Sequence, residues 1–452
     1  MSNTRELNLL HHRQDGARAI AALVIAMALA GAAATHARAA ECANTSVGLT
    51  PITELGSGSY RGVAGGLYPN ASNTIPSEHL AAGLAEAGAV VPRNSAGQHD
   101  AANGRIVVLT IGMSNCSYES DAFVALAGAD PLRNPRVVVV NGAQPNQSAL
   151  EISDPGAPFW SVVDARLAAL GLSPSQVQVI WFKQANESPS EPFPLFANIL
   201  NDQFITIMRI IRDRYTKARL AYCSSRTYGG YAAIDLNPEP FAYQSAFAVK
   251  WLIKDQIDGD PALNFSAANG AVEAPWIAWG PYLWADGLTP RADGLTWECA
   301  DFWESDGTHP SDLGTAKVAQ MLLTFFQTHP TTVGWYLDDS ATRVSGGAFG
   351  ESDSGALRAG RIRVSAPRPN PFNPHVVIPI EVLQEGRVRI DVVSAAGRRV
   401  ATLLDRALAR GPITVTWDGV DDAGRATPSG TYLLSVESGG RIDTGPKLTL
   451  LR

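Results

Sequence analysis

The sequence predicts an α/β chain, a three-layer parallel-sheet domain followed by a small all-β sandwich. Between about Ile106 and Phe326, short continuous apolar runs alternate with amphipathic stretches, the pattern of buried parallel strands joined by helices. Further on the pattern becomes strict alternation. Val388, Ile390 and Val392 fall on one face of residues 387–393, as in a half-buried strand of a sandwich. A length of 452 residues exceeds what one hydrophobic core usually fills, which favours two domains.

Taken in chain order, residues 1–39 are expected to be a signal peptide. Arg5, Arg13 and Arg18 lead into the apolar run Ala19 to Ala33, and Ala37-Arg38-Ala39 has the small-x-small form of a cleavage site. The run is shorter than the roughly 20 residues that a spanning helix needs. The expected product is secreted or held at the cell surface. The formal charge of −7 becomes −9 without this segment, with 32 basic against 41 acidic groups, a balance that argues against nucleic acid as a partner. Cys42, Cys116, Cys223 and Cys299 form no C-x-x-C pair, so a zinc ribbon has no support. One or two disulfides are expected outside the cytosol, with three complete pairings open.

Residues 40–337 are expected to form the α/β domain. Ile106–Ile111, Arg136–Val140 and Val177–Phe182 read as its strands, each followed by a polar loop and then helix-like sequence. Helices are expected at Phe159–Leu170, Asn198–Tyr215 and Ser311–Gln327. In the last, Ala319, Leu322, Leu323 and Phe326 share a face and Pro310 is placed at the first turn.

The polar residues that could carry chemistry gather at the ends of these elements. Ser114 follows the first strand in Leu109-Thr-Ile-Gly-Met-Ser-Asn115, where a serine entering a loop exposes its hydroxyl at the carboxyl edge of a parallel sheet. Asn141-Gly142 ends the second strand and Gln184-Ala-Asn186 the third; both supply neutral hydrogen-bond donors of the kind an oxyanion needs. Among five histidines after residue 39, His309 stands three residues after Asp306 in Ser305-Asp-Gly-Thr-His-Pro-Ser311. A carboxylate at that spacing reaches Nδ1 and leaves Nε2 free as a base. Tyr118 and Glu119, close after Ser114, are candidates for the entrance. Trp276, Trp279, Trp284, Trp297 and Trp303 fall within 28 residues; burial is the default for such rings, and a sugar-stacking surface the alternative.

The ordered set Ser114, Gly142, Asn186 and Asp306-x-x-His309 resembles the SGNH hydrolases, or GDSL-type esterases, over roughly residues 104–330. The resemblance implies a Ser114 nucleophile, an Asp306–His309 pair completing the triad, and an oxyanion hole from the N–H of Ser114 with Gly142 and Asn186. It implies no metal and no cofactor. Gly112-Met-Ser-Asn115 departs from the usual Gly-Asp-Ser and is similar to the G-Q-S-N block of the carbohydrate-ester branch, and Gln184 stands where a glycine is common. The implied substrate is a small ester or an acetylated glycan. The competing expectation is a non-catalytic surface binding protein on the same scaffold.

Residues 338–364, small and polar, read as a linker. Residues 365–452 are expected to be a β-sandwich, with turns at Glu385-Gly386, Ala396-Gly397, Asp422-Ala-Gly424 and Ser429-Gly430. Pro369-Asn-Pro-Phe-Asn-Pro374, Thr416-Trp-Asp-Gly419 and Pro428-Ser-Gly-Thr-Tyr432 resemble the Ig-like module of the flagellar hook-capping type. They are also similar to sorting domains of type IX secretion substrates, which implies contact with secretion machinery or attachment at the cell surface. Residues 358–452 carry a charge of +5 and residues 40–357 one of −14.

Overall fold

Valine-rich runs that bury both faces make the central sheet. The computed structural model describes residues 39–338, 357–359, 362–365, 367, 368, 370, 372, 374–394, 398–428, 430–439 and 441–450. The expected signal peptide lies outside the described residues except for Ala39. Strands β1 (Ile106–Gly112), β2 (Val137–Asn141), β3 (Val177–Lys183), β4 (Leu220–Cys223) and β5 (Trp276–Trp279) form one sheet in the order β2-β1-β3-β4-β5. All its pairings are parallel. Every residue of β1 and β3 is buried, as a sheet covered on both faces requires.

The larger helices are α1 (Ser77–Gly88), α2 (Ser114–Ala129), α3 (Pro158–Ala169), α4 (Leu195–Arg214), α5 (Phe241–Ile257) and α6 (Asp312–Thr328). The chain moves one way from β1 to β2 and the other way from β2 onward. Right-handed crossovers then put α2 on one face of the sheet and α3, α4 and α5 on the other; α6 packs on α2 and α4 on α5. This reversal makes the carboxyl ends of β1 and β3 the switch point of the sheet, where such folds build their sites.

The expected helices hold to within a turn, but Ser114 opens helix α2 rather than entering a loop. Pro310 precedes the N-cap of α6: Ser311 caps it, its hydroxyl accepting the Gly314 N–H, which satisfies one orphan donor of the first turn. Strands β4 and β5 have four residues each, too short for a periodic signal.

The C-terminal part has its own apolar core. Strands β6 (Leu357–Ala359), β7 (Ile362–Val364), β8 (Val376–Val382) and β11 (Gly411–Trp417) make one antiparallel sheet, and β9 (Gly386–Ser394), β10 (Arg399–Leu408), β12 (Gly430–Ser438) and β13 (Arg441–Leu450) the other. Val388, Ile390 and Val392 are wholly buried between them. The linker reading needs correction at its end: 339–356 lies outside the described residues, while β6 and β7 pair with each other and β7 with β8.

Candidate active site

Strand β1 delivers Ser114 to the switch point through a turn with no spare room. A Cβ on Gly112 would lie 2.2 Å from the Lys183 carbonyl oxygen and 2.5 Å from Cys116 Cβ, so only glycine lets β1 pass directly into α2 beside β3. Ser114 is the first residue of the helix. The N–H groups of Ser114, Asn115 and Cys116 have no hydrogen-bond partner among the described residues, as expected of the first turn of a helix, whose positive end favours negative charge.

The loop between Phe302 and Pro310, closed by a bridge between those two residues, brings the other two groups. Asp306 Oδ1 accepts the N–H of Thr308 at 2.8 Å and of His309 at 2.9 Å, while Oδ2 meets His309 Nδ1 at 2.8 Å. His309 Nε2 then stands 2.9 Å from Ser114 Oγ. Burial works to raise the Asp306 carboxyl, but the bonds from the His309 ring and the two backbone N–H groups hold it below the usual carboxylate range. A carboxylate on Nδ1 fixes that nitrogen as the donor and turns Nε2 to the serine.

Three contacts that no sequence motif announced hold this loop. Asn115 Nδ2 donates to the Thr308 carbonyl at 2.7 Å, tying the residue after Ser114 to the histidine loop. The Asp306 carbonyl accepts the Ala233 N–H at 2.8 Å, from the long buried connection after β4. On the other side, residues 40–48 form a strap. Its Ala40 N–H donates to the Glu304 carbonyl at 2.8 Å, and the Cys42–Cys299 disulfide fixes it beside the short helical turn before the loop. Cys116 and Cys223 are buried free thiols, and burial pushes the first up to about 12; the described structure therefore holds one of the one or two expected disulfides.

The expected oxyanion donors fare differently. The Gly142 N–H is already bonded to the Thr110 carbonyl at 3.0 Å, extending the parallel ladder by one residue, and is not free for an oxyanion. The Asn186 side chain is fixed at both ends: its Oδ1 accepts the Leu150 N–H at 2.9 Å and its Nδ2 donates to Gln203 Oε1 at 2.6 Å. One of its two amide hydrogens remains. Gln184, where a glycine was expected, donates to the Gln147 carbonyl at 2.9 Å and so joins the loops after β2 and β3.

Tyr118 and Glu119 separate. Tyr118 packs against His309 and Trp303. Glu119 is not at the entrance: it is wholly buried and paired with Lys183, the last residue of β3. Burial pushes the Glu119 carboxyl up and the Lys183 ammonium down, each countered by the other's charge. Buried Arg226 adds a second cation to the same field and is itself drawn down to about 10 by burial. Of the five clustered tryptophans, four are core and Trp303 is exposed. His79 is buried and bonded to the Ile277 carbonyl, half-buried His329 meets Thr331, and His375 pairs with Asp418 in the C-terminal part.

Residues 384–441 match the family model of the FlgD Ig-like domain. Within this FlgD Ig-like domain, buried Trp417 donates to the Val420 carbonyl at 2.8 Å and packs edge-on against Tyr432, with centroids 4.9 Å apart. Among solved structures, the chain is similar to dimeric latent PorU from Porphyromonas gingivalis at 23% identity. That match covers 20% of this chain and 9% of PorU, with a TM-score of 0.18, so the chain spans under a tenth of that protein's length. A putative SGNH hydrolase from Slackia heliotrinireducens is similar over 49% of this chain and 99% of its own, at 16% identity and a TM-score of 0.27. A carbohydrate acetylesterase from Xanthomonas citri is similar over 76% of this chain and 79% of its own, at 13% identity and a TM-score of 0.25. No curated protein matches the chain.

Proposed function

We propose that this protein is an exported serine hydrolase of carboxylic esters that removes O-acetyl groups from carbohydrates through an acyl-enzyme. The observation that carries the reading is the unbroken chain from Ser114 Oγ through His309 to Asp306, with steps of 2.9 and 2.8 Å. His309 Nε2 takes the hydroxyl proton as Oγ bonds to the ester carbonyl carbon, and the carbonyl electron pair moves onto its oxygen. Collapse of that intermediate breaks the bond to the sugar oxygen, which receives the proton from His309. Water then attacks the acyl-serine with His309 again as base, releasing acetate and restoring Ser114. The oxyanion is met by the unpaired N–H groups that open α2 and by the spare amide hydrogen of Asn186; the Gly142 N–H is left to the sheet. The FlgD Ig-like domain is proposed to serve secretion or surface attachment, through contact with secretion machinery or the cell surface.

The test is hydrolysis of p-nitrophenyl acetate, butyrate and octanoate by the protein beside its Ser114→Ala and Asn186→Ala variants. Activity that falls with chain length, vanishes in Ser114→Ala and drops roughly a hundredfold to a thousandfold in Asn186→Ala is the expected result. Equal hydrolysis by wild type and Ser114→Ala would remove the serine mechanism.

A further inference from the structure

Trp303 is 38% exposed and is the only aromatic ring among the exposed large hydrophobic side chains of the described residues. The nearby aromatic residues in sequence, Trp297 and Phe302, are buried, so the exposure is particular to this residue. A single exposed apolar side chain is ordinary in itself. What sets this ring apart is its position. The Trp303 centroid is 4.9 Å from that of His309 and 5.1 Å from that of Tyr118, and those two are 5.8 Å apart. The three rings therefore form one compact cluster beside the imidazole that meets Ser114. No other described ring packs on the indole.

We infer that Trp303, backed by Tyr118, is the stacking platform for the sugar ring whose acetyl ester reaches Ser114; this rests on the serine-esterase reading. A pyranose presents C–H groups on its faces and hydroxyls around its edge. It needs a flat apolar surface with polar groups beside it, and the exposed Glu304 and Ser305 follow Trp303 directly. A long acyl chain needs instead an apolar groove with several walls; the exposed aromatic surface here is one ring. The backbone keeps the ring in register with the chemistry, since the Trp303 N–H donates to the His309 carbonyl at 2.8 Å.

The experiment compares kcat/KM for a per-acetylated methyl β-xyloside and for p-nitrophenyl acetate in wild type, Trp303→Ala and Trp303→Phe. It is paired with inhibition of p-nitrophenyl acetate hydrolysis by xylotriose. Expected is a fall of about tenfold in the sugar-to-nitrophenyl ratio in Trp303→Ala, recovered in large part by Trp303→Phe. Competitive inhibition by xylotriose is expected in wild type and is weakened in Trp303→Ala. Equal losses on both esters would make Trp303 a support for His309 and overturn the platform, as would absence of xylotriose inhibition in wild type. The wild-type inhibition does not depend on either variant folding. Failure of the serine-esterase reading is seen separately, as nitrophenyl ester hydrolysis that persists in Ser114→Ala.

Discussion

Gly307 and Tyr231 approach so closely that a Cβ on Gly307 would lie 1.8 Å from the Tyr231 carbonyl oxygen. Gly307 also has φ +64°, in the left-handed region that side chains avoid. It sits between Asp306 and Thr308, so the turn that aims Asp306 at His309 depends on a residue with no side chain. Gly307→Ala must move either the Phe302–Pro310 loop or the connection after β4. The expected outcome is a loss of about 1–3 kcal/mol of stability and a fall in kcat of roughly a hundredfold, as expected when reacting groups move by about 1 Å. Thermal melts and ester kinetics on the same preparation check both.

The buried Glu119–Lys183 pair ties α2, which carries Ser114, to the end of β3. Removing one partner leaves a charge in a site that is 0–1% exposed, and Lys183→Met is expected to cost about 3–5 kcal/mol. Replacing both, as Glu119→Leu with Lys183→Met, is expected to recover most of that loss, because two apolar side chains of similar volume need no solvation. Urea unfolding of the two single variants and the double variant gives the coupling directly. A double variant no more stable than Lys183→Met would show that the pair is not a closed electrostatic unit.

How much of this was legible in the sequence depended on how local each determinant is. Strands β1 and β3 are long apolar runs and announce themselves. The Asp306–His309 contact is set within four residues, and Ser114 is marked by the strand end before it. The oxyanion side was read less well, because whether a backbone N–H is free depends on the neighbouring strand: the Gly142 N–H goes to Thr110, 32 residues earlier in the chain. Glu119 misled for the same reason, since its partner Lys183 comes from the end of strand β3, 64 residues later. The strap formed by residues 40–48 has no periodicity at all, and its role exists only through Asp286, Cys299 and Glu304, 238 or more residues further along the chain. The FlgD Ig-like domain was legible from alternation and turn residues, which are both local signals; the expected turn residues Ala396, Gly397 and Ser429 lie outside the described residues.

In the proposed mechanism Asp306 links catalysis to acid stability, and both follow from its bonds to His309 and to the Thr308 and His309 N–H groups. Its carboxyl is held below the ordinary value of about 3.9, so the folded protein binds fewer protons there than the unfolded chain. Stability from this group is therefore fully present above pH about 4 and is lost as the pH falls through the lowered folded value. Asp306→Asn removes that dependence and is expected to flatten the acid limb of the stability curve while lowering stability near neutral pH. The amide cannot accept with both atoms, so it competes with the imidazole for the correct tautomer, and kcat is expected to fall by about 10³ to 10⁴ with little change in KM. Melting temperatures between pH 3 and 8, measured beside kcat on p-nitrophenyl acetate, separate the two effects. An Asp306→Asn variant that keeps the wild-type acid limb would mean that other carboxylates govern it, and one that keeps wild-type kcat would take Asp306 out of the relay.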